Sequence, residues 1–230
     1  MTVARVAVID PLVNQPRPIG IGDTMGAAEV INKDNVTVGA STLTVQSLLQ
    51  GLLKRGGTQV GGFNDTTPSA SQIVAAILGN RDYVDNSLNS PVSIPSGLTF
   101  RFRYLNTTGQ TATLVAGTGV TITGTATIAT VTGREYLVTI VNGSTPGLYS
   151  GNTISGDNTV RGFSQQTTNK ITPGMSVTGT GIPANTTVIG ILPGVGVILS
   201  ADATATNTAV ALTFGPAVTF ENIGTVGTVS

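Results

Sequence analysis

The chain has 230 residues, with 11 basic and 11 acidic side chains and neither histidine nor cysteine. Disulfides and thiolate metal sites are thereby excluded, and the usual general base near neutral pH is missing along with the commonest metal ligand. A formal net charge of zero gives no attraction to a polyanion and little self-repulsion, so nucleic acid is a poor partner and association of like chains is the natural expectation.

Charged residues make up 10% of the chain, against roughly a quarter in an ordinary soluble domain. The length allows one large or two small domains. At the start, "MTVARVAVIDPLVNQPRPIG", Arg5 and Asp10 bracket too short an apolar run for a secretory signal. No stretch approaches the roughly 18 apolar residues of a membrane helix. The expectation is a chain made in the cytoplasm, with no membrane partner.

Residues 1–62 read as a first zone carrying nine of the charges: Arg5, Asp10, Arg17, Asp23, Glu29, Lys33, Asp34, Lys54 and Arg55. Pro11, Pro16 and Pro18 forbid helix and favour an open chain. That piece is either an arm lying on a neighbour or a disordered tail. "STLTVQSLLQGLLKRGG" predicts a short helix over 41–55: Leu48, Leu49, Leu52 and Leu53 form an apolar stripe, Lys54 and Arg55 suit the last turn, and Gly56 stops it.

Residues 63–142 read as a first β module with a short leading helix. In "TTPSASQIVAAILG", Thr67 is the expected cap, Pro68 lies in the first turn and Gly79 follows the end. "LTFRFRYLN" alternates, with Leu98, Phe100, Phe102 and Tyr104 on one face and Thr99, Arg101 and Arg103 on the other, which predicts a half-buried strand. Short Thr/Val/Ile strands follow, punctuated by Gly109, Gly117, Gly119, Gly124 and Gly133. "REYLVTIVN" closes the module with Tyr136, Val138 and Ile140 on one face.

Residues 143–230 open with a Gly/Ser/Asn-rich loop, "NGSTPGLYSGNTISGDN". Five strand-like pieces come next: "MSVTGTGI", "TTVIGIL", "VGVILSA", "AVALTF" and "AVTFENI". Their spacing suits a sandwich or barrel. "AGTGVTITGTAT" (116–127) echoes "PGVGVILSADAT" (193–204), which is either a duplicated β unit or the chance product of a Thr/Gly/Val-rich chain. The predicted fold class is therefore mainly β: an extended N-terminal arm with one or two short helices, then β-sandwich or barrel-like modules. Thr and Val suit pleated strands. Neutral strands lack the charges that keep sheet edges from pairing with other chains, so the charge-poor middle points to an oligomer.

Little in the sequence points to catalysis. No phosphate-binding loop or dinucleotide fingerprint is present. Between Asp85 and Asp202 only Glu135 and Asp157 occur, so a paired-carboxylate centre is hard to build from the second half. Asp82 and Asp85 sit in a predicted loop as solvated turn residues, and "SGDN" around Asp157 gives a single carboxylate for a cation. Without histidine, a serine nucleophile would need Lys33, Lys54 or Lys170, none in a Ser-x-x-Lys arrangement. Arg101 and Arg103 are too few for a nucleic-acid patch and read as a row facing solvent or another subunit. No catalytic, cofactor-binding or metal-binding residue is assigned, and no enzyme is expected.

"DTTPSASQIVAAI", "FRFRYLNTTGQTATL" and "AGTGVTITGTATIA", over residues 63–141, resemble a pattern in structural proteins of tailed-bacteriophage virions, of the capsid decoration (cement) or head-fibre type. "VTGTGIPANTTVIGI" is similar to segments of surface-exposed phage β proteins, and residues 143–170 look like an added piece. The resemblance implies a non-enzymatic virion component on the capsid surface. Its implied partners are itself, with a homotrimer favoured, and the major capsid protein or another virion protein. The alternative is a tail-fibre or receptor-binding module contacting the host surface, against which the aromatic content of 4% and the lack of Trp argue.

Overall fold

The computed structural model describes the backbone of residues 7–9, 16–18, 33–79 and 96–227, and the side chains of 36–78 and 96–227. Strands β1 (Ala7–Ile9) and β2 (Pro16–Pro18) pair antiparallel. Of the expected N-terminal arm, residues 33–40 are also described and contain a strand that joins the first of two packed bodies; the rest of it, and Asp82 and Asp85, lie outside the described residues.

Two packed bodies make up the fold, which is mainly β. The first is a sandwich. One of its sheets contains β4 (Ser41–Thr42), β6 (Phe63–Thr66), β8 (Ala112–Val115) and β10 (Thr127–Ile128), in the order β10-β8-β6-β4. The other has six strands: β3 (Lys33–Asn35), β5 (Leu52–Arg55), β7 (Thr99–Asn106), β9 (Val120–Thr123), β11 (Thr132–Asn142) and β18 (Ala217–Val226), ordered β3-β5-β7-β11-β18-β9. Period-two alternation decides which face is buried. Phe102 and Tyr104 of β7 point inward with Tyr136, Val138 and Ile140 of β11, while Thr99, Arg101 and Arg103 remain exposed. Phe102, Tyr136 and Phe220 meet with ring centroids 6.4–6.5 Å apart, within the range of favourable aromatic pairs.

Helices α1 (Val45–Leu49) and α2 (Ala70–Gly79) contribute Leu48, Ile73 and Ile77 to the same core. The helix predicted over 41–55 is shorter than expected. Gly51 adopts φ +79, which a residue with a side chain rarely tolerates, and the chain then turns into β5 alongside β7. Leu52 to Arg55 are thus strand, with Leu53 and Arg55 inward. The cap of α2 is Ser69 rather than Thr67. Gln72 N–H donates to Ser69 Oγ at 3.2 Å and Ser69 N–H donates to Gln72 Oε1 at 2.9 Å, a reciprocal capping box. Thr67 Oγ1 instead accepts from Gly117 N–H at 2.9 Å.

The second body is inserted between β11 and β18, which are antiparallel neighbours in the sandwich. It comprises β12 (Gly147–Thr153), β13 (Thr159–Arg161), α3 (Gln165–Thr168), β14 (Ser176–Gly179), β15 (Val188–Leu192), β16 (Gly196–Leu199) and β17 (Asn207–Gly215). The strands run β14-β17-β12-β13-β16-β15, and an antiparallel bridge between Ser176 and Thr187 joins the two ends. Val177 N–H to Thr186 O and Val188 N–H to Met175 O, both 2.9 Å, complete the closure into a small barrel. Phe163 and Phe214 centre its core, 5.8 Å apart.

These facts cut across the three zones drawn from the sequence. Leu43, Leu48 and Leu53 from before residue 63, and Val218 and Phe220 from the final strand, all belong to the sandwich core. The expected loop at 142–158 contains β12, whose Gly147 to Gly151 pair with Phe214 to Val210. The echoing segments occupy different settings: β9 lies parallel to β18 at a sheet border, whereas β16 lies antiparallel between β13 and β15. The expected unguarded edges are largely absent from the barrel because it closes on itself. In the sandwich, the carbonyls beside β10 are taken by side chains: Tyr136 Oη and Asn222 Nδ2 donate to Thr125 O, and Arg134 Nε to Thr127 O.

Candidate functional site

Twelve charged side chains fall within the described side-chain segments. Their placement separates a buried pair from a charged sheet face. The pair is Arg55 and Asp65, each fully buried. Arg55 Nε donates to Asp65 Oδ2 at 2.9 Å and Nη2 to Oδ1 at 3.3 Å, a two-pronged arrangement. The guanidinium also donates to the carbonyls of Thr37 and Gly39, and its carbon lies 4.6 Å from the centre of the Phe63 ring. Tyr104 Oη donates to Asp65 Oδ2 at 2.6 Å. Gln59 completes the grip on the incoming chain, donating to Thr37 O at 2.8 Å and accepting from Gly39 N–H at 2.7 Å. With its carboxylate sealed from solvent, the cluster fastens residues 37–39 to the sandwich; it presents no atom to a substrate.

Burial, then the Asp65 carboxylate, pushes the Tyr104 hydroxyl far above the usual tyrosine range, and burial pushes that of Tyr136 up to about 12. Both stay protonated in the folded chain while unfolded tyrosines ionise near about pH 10. Stability is therefore full below about pH 10 and falls as pH rises toward 12, by about 1.4 kcal/mol per pH unit for each tyrosine. Urea midpoints at about pH 9 and about pH 11 should differ accordingly; equal midpoints would contradict the burial of these hydroxyls.

The second group lies on the outward face of the six-stranded sheet. Cross-strand register places Leu52, Arg103 and Glu135 in one row, and Arg101, Leu137, Glu221 and Thr123 in the next. Thr99, Thr139, Thr219 and Thr121 form a third, and Lys54 lies beside Leu105. Arg101 and Arg103, with side chains 69% and 53% exposed, reach Glu135 at 3.1 and 3.5 Å. Glu221 is exposed and makes no salt bridge among the described residues. The sequence placed Arg101 and Arg103 on one face but offered no sign of Glu135 or Glu221 beside them, because sheet register is set by tertiary pairing.

The remaining sequence candidates stay dispersed. Asp157 accepts from Thr159 N–H at 2.8 Å, which holds its carboxyl below the ordinary value, and it lies 3.9 Å from Arg161. No group of three or more potential metal ligands occurs among the described residues. No helix among the described residues is long and apolar enough to cross a membrane. Comparison with family models, curated proteins and solved structures finds no match to this chain.

Proposed function

We propose that the chain is a non-enzymatic structural subunit of a virion that self-associates and binds a capsid lattice as a decoration or head-fibre protein. The observation that carries the reading is the nature of the surface. With Arg55 and Asp65 buried, ten charged side chains serve the whole described exterior, five of them on one sheet face. Large aliphatic side chains stand exposed elsewhere: Val36, Val38 and Val60 on the sandwich, and Leu148, Ile154 and Ile189 on the barrel. Such a neutral exterior resists association poorly and suits a molecule covered by neighbours. The resemblance over residues 63–141 supplies the virion setting and the multiple copies.

Residues 1–32 are the proposed anchor to the lattice. A truncation should stop at residue 32, since the Thr37 and Gly39 carbonyls serve Arg55. Electron microscopy of particles made with and without the gene tests the assignment. Surface density on the capsid that vanishes on deletion, and also with the truncated chain, is the expected result. Density on the tail would favour host-surface binding instead, and unchanged particles would remove the chain from the virion.

A further inference from the structure

The outward face of the six-stranded sheet is ordered by charge. Lys54 on β5 and Arg101 and Arg103 on β7 make one side positive, while Glu135 on β11 and Glu221 on β18 make the other negative. Leu137 lies between Arg101 and Glu221 in one row. We infer that this face pairs with the same face of a second copy about a two-fold axis parallel to the strands and centred near Leu137, setting Arg101 of each chain against Glu221 of the other. The inference rests on the reading of the chain as a self-associating subunit and specifies the surface used.

Charge complementarity selects both occupant and axis. Rotation about an axis along the strands reverses their order across the face, so β7 meets β18 and β11 meets β11; Glu135 then faces Glu135, each largely covered and already neutralised by Arg101 and Arg103 of its own chain. An in-plane axis across the strands would instead set β7 on β7 and bring arginines together. Sheets pack face to face at about 10 Å, a gap that Arg and Glu side chains span together. Glu135 is already engaged by Arg101 and Arg103 of its own chain, so Glu221, which makes no salt bridge among the described residues, is the carboxylate left to answer Arg101, whose 69% exposed side chain would be shared between the two. Leu137 and the row of Thr99, Thr139 and Thr219 fill the centre with uncharged contact. The contact is self-complementary and closes as a pair, whereas the three-fold implied by the resemblance would need a different, head-to-tail contact.

The test is a charge swap in the full-length chain, read by sedimentation equilibrium at low ionic strength. Arg101→Glu alone and Glu221→Arg alone should each weaken the pair about tenfold or more, because each sets like charges against one another. The double variant R101E/E221R should recover to within about threefold of the unsubstituted chain, since the attraction is restored with its sign reversed. Both positions are exposed, so the fold should tolerate the changes, and far-ultraviolet circular dichroism checks this. Single variants that associate as well as the parent, or a double variant no stronger than either single, overturn the inference while leaving self-association through another face intact. A parent chain that stays single at every concentration overturns both.

Discussion

Replacing Asp65 with Asn is expected to lower the stability of the sandwich by about 3–5 kcal/mol, the usual consequence of leaving one member of a buried ion pair without its counter-charge. Asn keeps the volume, so the loss is electrostatic: Arg55 keeps its charge at 0% exposure, and Tyr104 loses a 2.6 Å charged acceptor. Urea unfolding followed by circular dichroism and tyrosine emission reads the change, since the chain has no Trp. Removing both charges with Arg55→Met and Asp65→Leu should cost less than the single substitution, as apolar replacement of a whole buried pair often does. It should not be neutral, because the Thr37 and Gly39 carbonyls would lose the guanidinium. A cost under about 1 kcal/mol for Asp65→Asn would show that the pair is not buried as described.

Gly196→Ala is expected to cost about 3 kcal/mol or more and to fall on the barrel. The added Cβ would overlap the Val160 carbonyl oxygen and approach Arg161 Cα to 3.0 Å. Both obstacles are backbone, so no side-chain rotation relieves them, and β13 must move away from β16. That ladder is one link of a closed ring, so the displacement also strains the join between β14 and β15. Gly224→Ala, where nothing lies within 4 Å, is the matched control and should change stability by less than about 0.5 kcal/mol. Equal effects at the two positions would contradict the close approach of β13 to β16.

Where local pattern decides structure, the sequence was readable. The alternation of Phe102 and Tyr104 with Arg101 and Arg103, and of Tyr136, Val138 and Ile140 along β11, appears in the fold as expected. Local signals misled at 52–55, where leucines at helical spacing belong to a strand: pairing with β7 outweighs the helical pattern once Gly51 has turned the chain. The insertion of the barrel between β11 and β18 left no local mark, since "AVTFENI" reads like its predecessors and only its partner in β11 assigns it to the sandwich. Of the charged face, Arg101 and Arg103 were legible, but their meeting with Glu135 depends on a register formed 34 residues apart. Asp65 alternates with Phe63 on a buried face; that period-two pairing was the one signal for an internal carboxylate.

Barrel closure removes part of the strand border through which association was expected. The means of association proposed from the sequence was open strand borders in a neutral chain. Those borders are joined in the barrel and partly covered by side chains beside β10, while β3, β4 and β9 still border the sandwich sheets.

Light scattering coupled to size separation, run on the full-length chain from nanomolar to high-micromolar concentration, tests the proposed assembly most directly. The proposal expects a mass that climbs above that of one chain as concentration rises and falls back when salt is added. A single-chain mass throughout would contradict it.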